Sequence, residues 1–547
     1  MVIDVMYWVV RFSVWVGTLI GAGIQKLFLL SFHVNRDNVK IKKSDVIRQT
    51  DAARQSGCRD VVMAFANHLG YIARECMSRE ELELKIDSGI SPDALAEELN
   101  ARIAARPGII LGTQTYQNHE IKLPYSYRSR HACLIGRSGS GKTNTIRQMV
   151  MQDIENGCGV GVLAPEQELL TDEILPYIPQ ERIDDVVYVN PADIEFPIPI
   201  NPLHLEEGSD IDQSVDDLIT IFSRLSNDIT PRMREILYHT FYALLERKGS
   251  TLLDVEILLD RTDTSLRNEI ISTTDNPRTA RFFNTVFPSL ARDACLPIYS
   301  RIGQLISPKR IRTLLCQPGK SFNFRDALDE GKILLFNVSD GILGEQTAQL
   351  LGQLIVSKIQ MAVMSRADVP PAARRPFYFY LDEFPAFTGV ADASYAKLLS
   401  RSRKYSFGMV LAMQQTQQIP NHLLQELLGN VSTLLTFNVS STDAGKLCKE
   451  FVVALGNEAD HIPDDFLLTL KVGQAWGKIG STVFPLQTPL ADQRPNPIRV
   501  KEIVERSRLL YGLRARREDI RPLQISPVQR PFVIVPDEDA LDPAKVF

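Results

Sequence analysis

Residues 136 to 143 read Gly-Arg-Ser-Gly-Ser-Gly-Lys-Thr and match the pattern G-x-x-x-x-G-K-[ST]. The apolar run HACLI precedes them, and the helical pattern TNTIRQMVMQDI follows. Phosphate binding demands this order. Glycines let consecutive backbone N–H groups curl round an anion, and a helix N-terminus adds positive potential. Gly136, Arg137, Ser138, Gly139, Ser140 and Gly141 would form the cradle. Lys142 would reach the β- and γ-phosphates as a point charge, and the Thr143 hydroxyl would ligate Mg2+. The expected ligands are ATP and Mg2+.

A second segment, PFYFYLDEFPAF, carries five consecutive apolar residues at 377–381 and then Asp382 and Glu383. Such a run predicts a strand buried on both faces. Carboxylates emerging at its carboxyl end stand where ligands bind in open α/β sheets. Asp382 would hold Mg2+, and Glu383 would polarise the attacking water. A third segment, FGMVLAMQQTQQIP, is a further buried strand ending in Gln414. An amide there can contact both a γ-phosphate and the water, with Gln415, Gln417 and Gln418 as competitors. Between these strands lies SRSRKYSF, with Arg401, Arg403 and Lys404. A cation supplied to a γ-phosphate from a neighbouring subunit is worth about 10³ to 10⁵ in rate. A solvated basic helix end is the plainer reading of the same residues.

These groups need a scaffold. Strand candidates recur at 160–165, 186–190, 332–338, 377–383, 407–413 and 433–439, with helical patterns between most of them. That alternation predicts an α/β domain with a largely parallel sheet. Residues 208–318 break the rhythm with amphipathic helices and no strand signal, as an all-α insertion would. The expected organisation is an N-terminal anchor helix at 1–34, a helical region at 35–107, the α/β domain at 108–207 and 319–490 around the insertion, and an extended tail at 491–547.

The chain has 547 residues, 44% of them apolar and 23% charged, which excludes a largely disordered or fibrous protein. The net charge of −5 excludes a globally basic nucleic-acid coat. Any nucleic-acid contact would then come from local patches. Lys309, Arg310 and Arg312, and Arg514, Arg516 and Arg517, are candidates, with solvated helix faces as the plainer reading. The 7 cysteines form no C-x-x-C pair, which argues for reduced thiols. From Phe12 to Phe32, Lys26 is the sole charge. A helix of that length spans about 31 Å, close to one hydrocarbon core. The basic residues that follow place the body in the cytoplasm. Asp4, Arg11, Thr18 and Gln25 form a polar stripe, so the helix spans the membrane, lies on it, docks on its own domain, or is a cleaved signal peptide.

Taken together, RHACLIGRSGSGKT, EGKILLFNVSDGILGEQTAQLLGQLIVSKI, FYFYLDEFPAF, LLSRSRKYSFGMVLAMQQTQQI and LLGNVSTLLTFNVSSTDAGKLCKEF resemble the FtsK–HerA superfamily of DNA-pumping ATPases, nearest the TraG/TraD-like coupling proteins of type IV secretion and conjugation. The resemblance runs from about 108 to 480. It implies a RecA-like motor fold, a homo-hexameric ring at the inner membrane, and DNA as cargo. A relaxase and a type IV secretion channel are the implied partners. It further implies Lys142 and Thr143 at the phosphates, Asp382 on Mg2+, Glu383 as catalytic carboxylate, Arg403 as arginine finger and Gln414 as sensor. Two features depart from the family. Its acidic residue after the second strand is replaced by Ala164, in Ala164-Pro165-Glu166, and at most one membrane span is found where many members have two. Two alternatives stay open: a HerA-like motor of repair or segregation, and a receptor for secreted substrates that uses ATP for assembly.

Overall fold

A computed structural model describes residues 107–514 except 116–119, 206–208, 224–228, 292, 320, 389–391, 456–457, 462–463, 481 and 490–494, together with a few isolated residues between 81 and 98. The expected anchor helix, most of the 35–107 region, Arg516 and Arg517 lie outside the described residues. Among the described residues no helix is long and apolar enough to cross a membrane.

The strands are β1 (Gly108–Gln114), β2 (Glu120–Pro124), β3 (Ala132–Ile135), β4 (Gly159–Ala164), β5 (Val186–Val189), β6 (Ile333–Asn337), β7 (Phe377–Leu381), β8 (Phe407–Met413), β9 (Thr433–Thr436), β10 (Val452–Leu455), β11 (Glu458–His461), β12 (Gln474–Ile479) and β13 (Thr482–Gln487). All but β10 and β11 join one sheet, in the order β2-β1-β13-β12-β9-β3-β8-β7-β4-β6-β5. From β9 to β5 every neighbouring pair is parallel; the β1, β2, β12 and β13 edge is antiparallel. Every residue of β3, β4, β7 and β8 is buried, as strands covered by helices on both faces must be. β1 and β2, at the antiparallel edge, include part-exposed positions.

The helices that matter for the site are α1 (Lys142–Glu155), α2 (Glu345–Ser365), α3 (Asp392–Arg401), α4 (Ser441–Leu447) and α5 (Pro497–Tyr511). From Ile211 to Leu315 the described elements are helices without a strand. Their apolar side chains, Phe222 and Phe241 among them, belong to the same buried cluster as the sheet's. Lys358 of α2 donates to the His204 carbonyl at 3.0 Å, and Lys397 of α3 faces Asp217 at 3.7 Å. The helical segment is thus seated on the sheet domain rather than held away from it.

Two expectations are corrected. The strands β12 and β13 were not foreseen; they form a hairpin that extends the sheet. Residues 497–511, expected to be extended, form α5. Asn496 caps it by accepting from the amides of Ile498 and Arg499, and Pro497 takes the first turn, where its missing N–H costs nothing. Arg506 pairs with Asp184 at 2.5 Å and Arg508 with Asp193 at 2.6 Å, holding α5 beside β5.

Candidate active site

Strand register decides where the chemistry sits. Ile135 lies beside Met413, Leu411 beside Leu381, and Leu381 beside Leu163. Parallel strands aligned this way end together. The loop after β3, Gln414 after β8, Asp382 and Glu383 after β7, and Glu166 after β4 therefore emerge along one edge. They line a single cleft of about 210 Å³ with Ser138, Gly139, Gly141, Lys142, Thr143, Asn144 and Pro165.

The 136–143 loop is held by its own backbone. Gly136 N–H donates to the Met413 carbonyl at 3.1 Å and Arg137 N–H to the Asn438 carbonyl at 2.8 Å. A Cβ at Gly136 would stand 2.6 Å from Phe437 Cβ, so only glycine fits. Gly139 and Gly141 have φ of 71° and 112°, the left-handed region that turns successive amides inward. Lys142 Nζ donates to the carbonyls of Gly136 and Arg137. Burial lowers the Lys142 pKa, opposed by the charges of Glu383, Asp382 and Glu166. Ser140 Oγ is buried with no hydrogen-bond partner among the described residues, a vacancy of the kind that an anion in the loop can fill.

Asp382 is buried, and its carboxyl is pushed up to about 6 by that burial first and by the charge of Glu383 second, with Lys142 opposing. A buried carboxylate beside a like charge calls for a cation, and Thr143 lines the same cleft. The residues fit a divalent ion held between Thr143 and Asp382.

Glu383 adopts a left-handed backbone, φ 55°, which is uncommon outside glycine. Its side chain is gripped twice. Gln414 Nε2 donates to Oε2, and Gln418 Nε2 donates to Oε1, each at 3.2 Å. Gln418 Oε1 in turn accepts from the Gln414 and Gln415 amides at 3.2 and 2.8 Å. Thr416 between them is tied to buried Asp443 of α4 by its hydroxyl at 2.5 Å. The choice among the glutamines thus resolves into two residues: Gln414 in the cleft, and Gln418 bracing both it and Glu383.

Arg403 is not in this cleft. It precedes β8 while Gln414 follows it. A seven-residue strand spans about 23 Å, so Arg403 lies at the far end of the sheet from its own loop. Arg401, Arg403 and Lys404 are all exposed. The backbone behind them is fixed by His131, which sits directly before β3. Its Nδ1 accepts the Met409 amide of β8 at 3.0 Å, and its Nε2 lies 3.1 Å from the Leu399 carbonyl near the end of α3. Burial lowers the His131 pKa to about 4, so the ring is neutral, with Nε2 as donor.

A buried polar cluster links α1 to β7. Arg128 pairs with Asp153 of α1 and donates to Tyr380 Oη at 2.8 Å; Tyr380 Oη donates to Asp153 at 2.5 Å. Tyr380 lies two residues before Asp382. Among the cations considered for DNA, Arg310 donates to the Ile342 carbonyl at 2.7 Å, and Arg312 lies 3.4 Å from the carbonyls of Ile306 and Ser307. Both are engaged with the backbone; Lys309 and Arg514 are exposed.

Glu166 and His131 were not among the expected site residues, and Gln418 stood there only as a competitor to Gln414. Glu166 was legible as an acid two residues beyond the expected position. His131 carried no local signal, because its partners are more than 260 residues away.

No curated protein matches the chain. Among solved structures it is similar to the plasmid coupling protein TrwB in complex with the non-hydrolysable GTP analogue GDPNP, at 16% identity over 71% of this chain and 91% of that one, with a TM-score of 0.49. It is similar to TrwB in complex with ADP and Mg2+, at 15% identity over 69% and 90%, with a TM-score of 0.47. It is also similar to VirB4 of Thermoanaerobacter pseudethanolicus, at 16% identity over 72% and 98%, with a TM-score of 0.48. The model of the type IV secretion-system coupling protein DNA-binding domain matches residues 115–459, well over half the chain, and the chain belongs to that family.

Proposed function

We propose that the protein is an ATP-driven DNA translocase that works as a ring, with each active site completed by a neighbouring copy. One observation carries this reading. Lys142, Thr143, Asp382, Glu383 and Gln414 share one cleft, while exposed Arg403 stands at the opposite end of the sheet. Arg403 can serve a phosphate only across a subunit seam.

In this reading the loop amides and Lys142 hold the triphosphate, and Glu383 takes a proton from the attacking water. Thr143 and Asp382 would hold a Mg2+ ion, which would supply charge neutralisation at the phosphates. Gln414 touches both the water-activating carboxylate and the cleft, so it registers loss of the γ-phosphate. That change passes along the 414–418 turn to Asp443 and α4. DNA as the cargo is supported by the family, whose name is that of a DNA-binding domain. A net negative chain can still hold DNA, since a few cations repeated round a ring neutralise phosphates. A homo-hexamer, the inner membrane as location, and a relaxase and secretion channel as partners complete the proposal.

The test is ATP hydrolysis by purified rings with single-stranded DNA, duplex DNA or neither. Stimulation by either DNA is expected. Rings that form and hydrolyse ATP without responding to DNA would count for a substrate receptor.

A further inference from the structure

The turn that carries Arg403 joins the end of α3 to the start of β8. Its backbone is pinned from several sides. The Leu399 carbonyl lies 3.1 Å from His131 Nε2, and the Met409 amide donates to His131 Nδ1 at 3.0 Å. One buried ring therefore bridges both limbs of the turn. From the other side, Arg374 donates to the Lys404 carbonyl, and its guanidinium lies 5.2 Å over the Tyr405 ring. Fully buried Arg366 donates to the Tyr405 carbonyl at 3.0 Å. The Arg403 side chain itself is exposed, and among the described residues none forms a hydrogen bond or ion pair with its guanidinium.

The fold accepts strain to make this arrangement. Among the described residues three non-glycines have positive φ: Glu383 in the cleft, His131 at 61°, and Ser406 at 56°, which closes the turn. Each such residue costs on the order of 1–3 kcal/mol and persists where its surroundings over-determine it. The packing is close as well. A Cβ on Gly408 would stand 2.3 Å from the Arg128 carbonyl, so the start of β8 lies directly against the turn before His131. His131 in turn directly precedes β3, whose far end opens into the phosphate loop. The Arg403 turn is thus registered against the strand that carries the copy's own nucleotide loop.

A solvated basic helix end needs no such pinning. A fixed backbone that leaves its arginine unengaged is what presenting a cation to a second molecule requires. We propose that His131, with Arg374 on the outer side, positions Arg403 for the triphosphate held by the neighbouring copy. Neither residue touches that phosphate; both are positioning residues. This rests on the reading of Arg403 as the group that completes the neighbour's site.

The test uses the full-length protein in mixed rings. H131N tolerates the left-handed backbone and removes the bridge. It should keep ATP affinity within about twofold of wild type and lower hydrolysis by about a hundredfold, the cost of misplacing a reacting group by about 1 Å. Mixed with E383Q under subunit exchange, it should regain hydrolysis, because its own Glu383 is then served by a well-placed Arg403. Mixed with R403A it should stay inactive, because neither copy presents an arginine. R374A should show the same pattern with a loss of about tenfold, and it carries the test if H131N does not fold. Undiminished hydrolysis in the variants would overturn the proposal. So would recovery with R403A, which would place the damage in the copy's own cleft, or recovery with neither partner, which would mean general damage to the fold. The pair E383Q and R403A is the control. An R403A protein that is active alone, or a control pair that fails to recover, would overturn the seam reading instead.

Discussion

Gln414 Nε2 lies 3.2 Å from Glu383 Oε2 and bridges the ends of two adjacent parallel strands. The contact joins a residue that can touch the γ-phosphate to the carboxylate that would activate water. Gln418 holds the other carboxylate oxygen. Glu383, on a left-handed backbone, is thereby held from both sides.

Removing the Glu383 base should separate binding from turnover. E383Q is expected to keep ATP affinity near wild type and to lose about 10² to 10⁴ in hydrolysis. Equilibrium binding and steady-state ATPase measurements together check this.

Gln418 touches Glu383 without lining the cleft. Q418A should lower kcat by about tenfold with little change in KM. Q418E, which sets a like charge beside Glu383, should lower it further, and steady-state kinetics with equilibrium ATP binding check both variants.

The Arg128–Asp153 pair is fully buried and braced by Tyr380. D153A strands the arginine and should cost about 3–5 kcal/mol of stability. Y380F removes one hydroxyl and should cost about 1 kcal/mol. Denaturant unfolding monitored by tryptophan fluorescence reads both.

His131 should give stability a pH dependence of known sign. Its folded pKa, about 4, lies below the value near 6.5 of an exposed imidazole. The unfolded chain therefore binds the proton first. Stability from this residue is full above pH 6.5 and falls as pH drops toward 4, by about 2 kcal/mol at pH 5. H131N keeps a residue that tolerates the φ of 61° and lacks this slope. Asp382, which burial raises in the opposite sense, is present in both proteins and cancels in the comparison. Unfolding at pH 7 and pH 5 should show the gap between wild type and H131N shift by that amount.

The elements that carry the chemistry were legible because their signals are local. Phe377 to Leu381 is an unbroken apolar run, and a strand buried on both faces is the element it forms. The loop at 136–143 fixes its own conformation through glycines. The β12–β13 hairpin was hidden because Gly477 and Pro485 interrupt its pattern, and Pro485 pairs with Trp476 where a proline reads as a break. Gly480, directly after β12, is a usable turn signal. The bracing residues were hidden for another reason. His131 and Gln418 act through partners that only the sheet order brings near, and no spacing along the chain records that order.

The central claim is that Glu383 of one copy and Arg403 of the next act on one triphosphate. Mixing two inactive proteins tests it most directly. E383Q and R403A should each be nearly inactive alone. Mixed and allowed to exchange subunits, they should regain hydrolysis, because some seams then pair an intact Glu383 with an intact Arg403. Recovery is the predicted result. An R403A protein that is active alone, or a mixture of exchanging rings that stays as inactive as its parts, would contradict it.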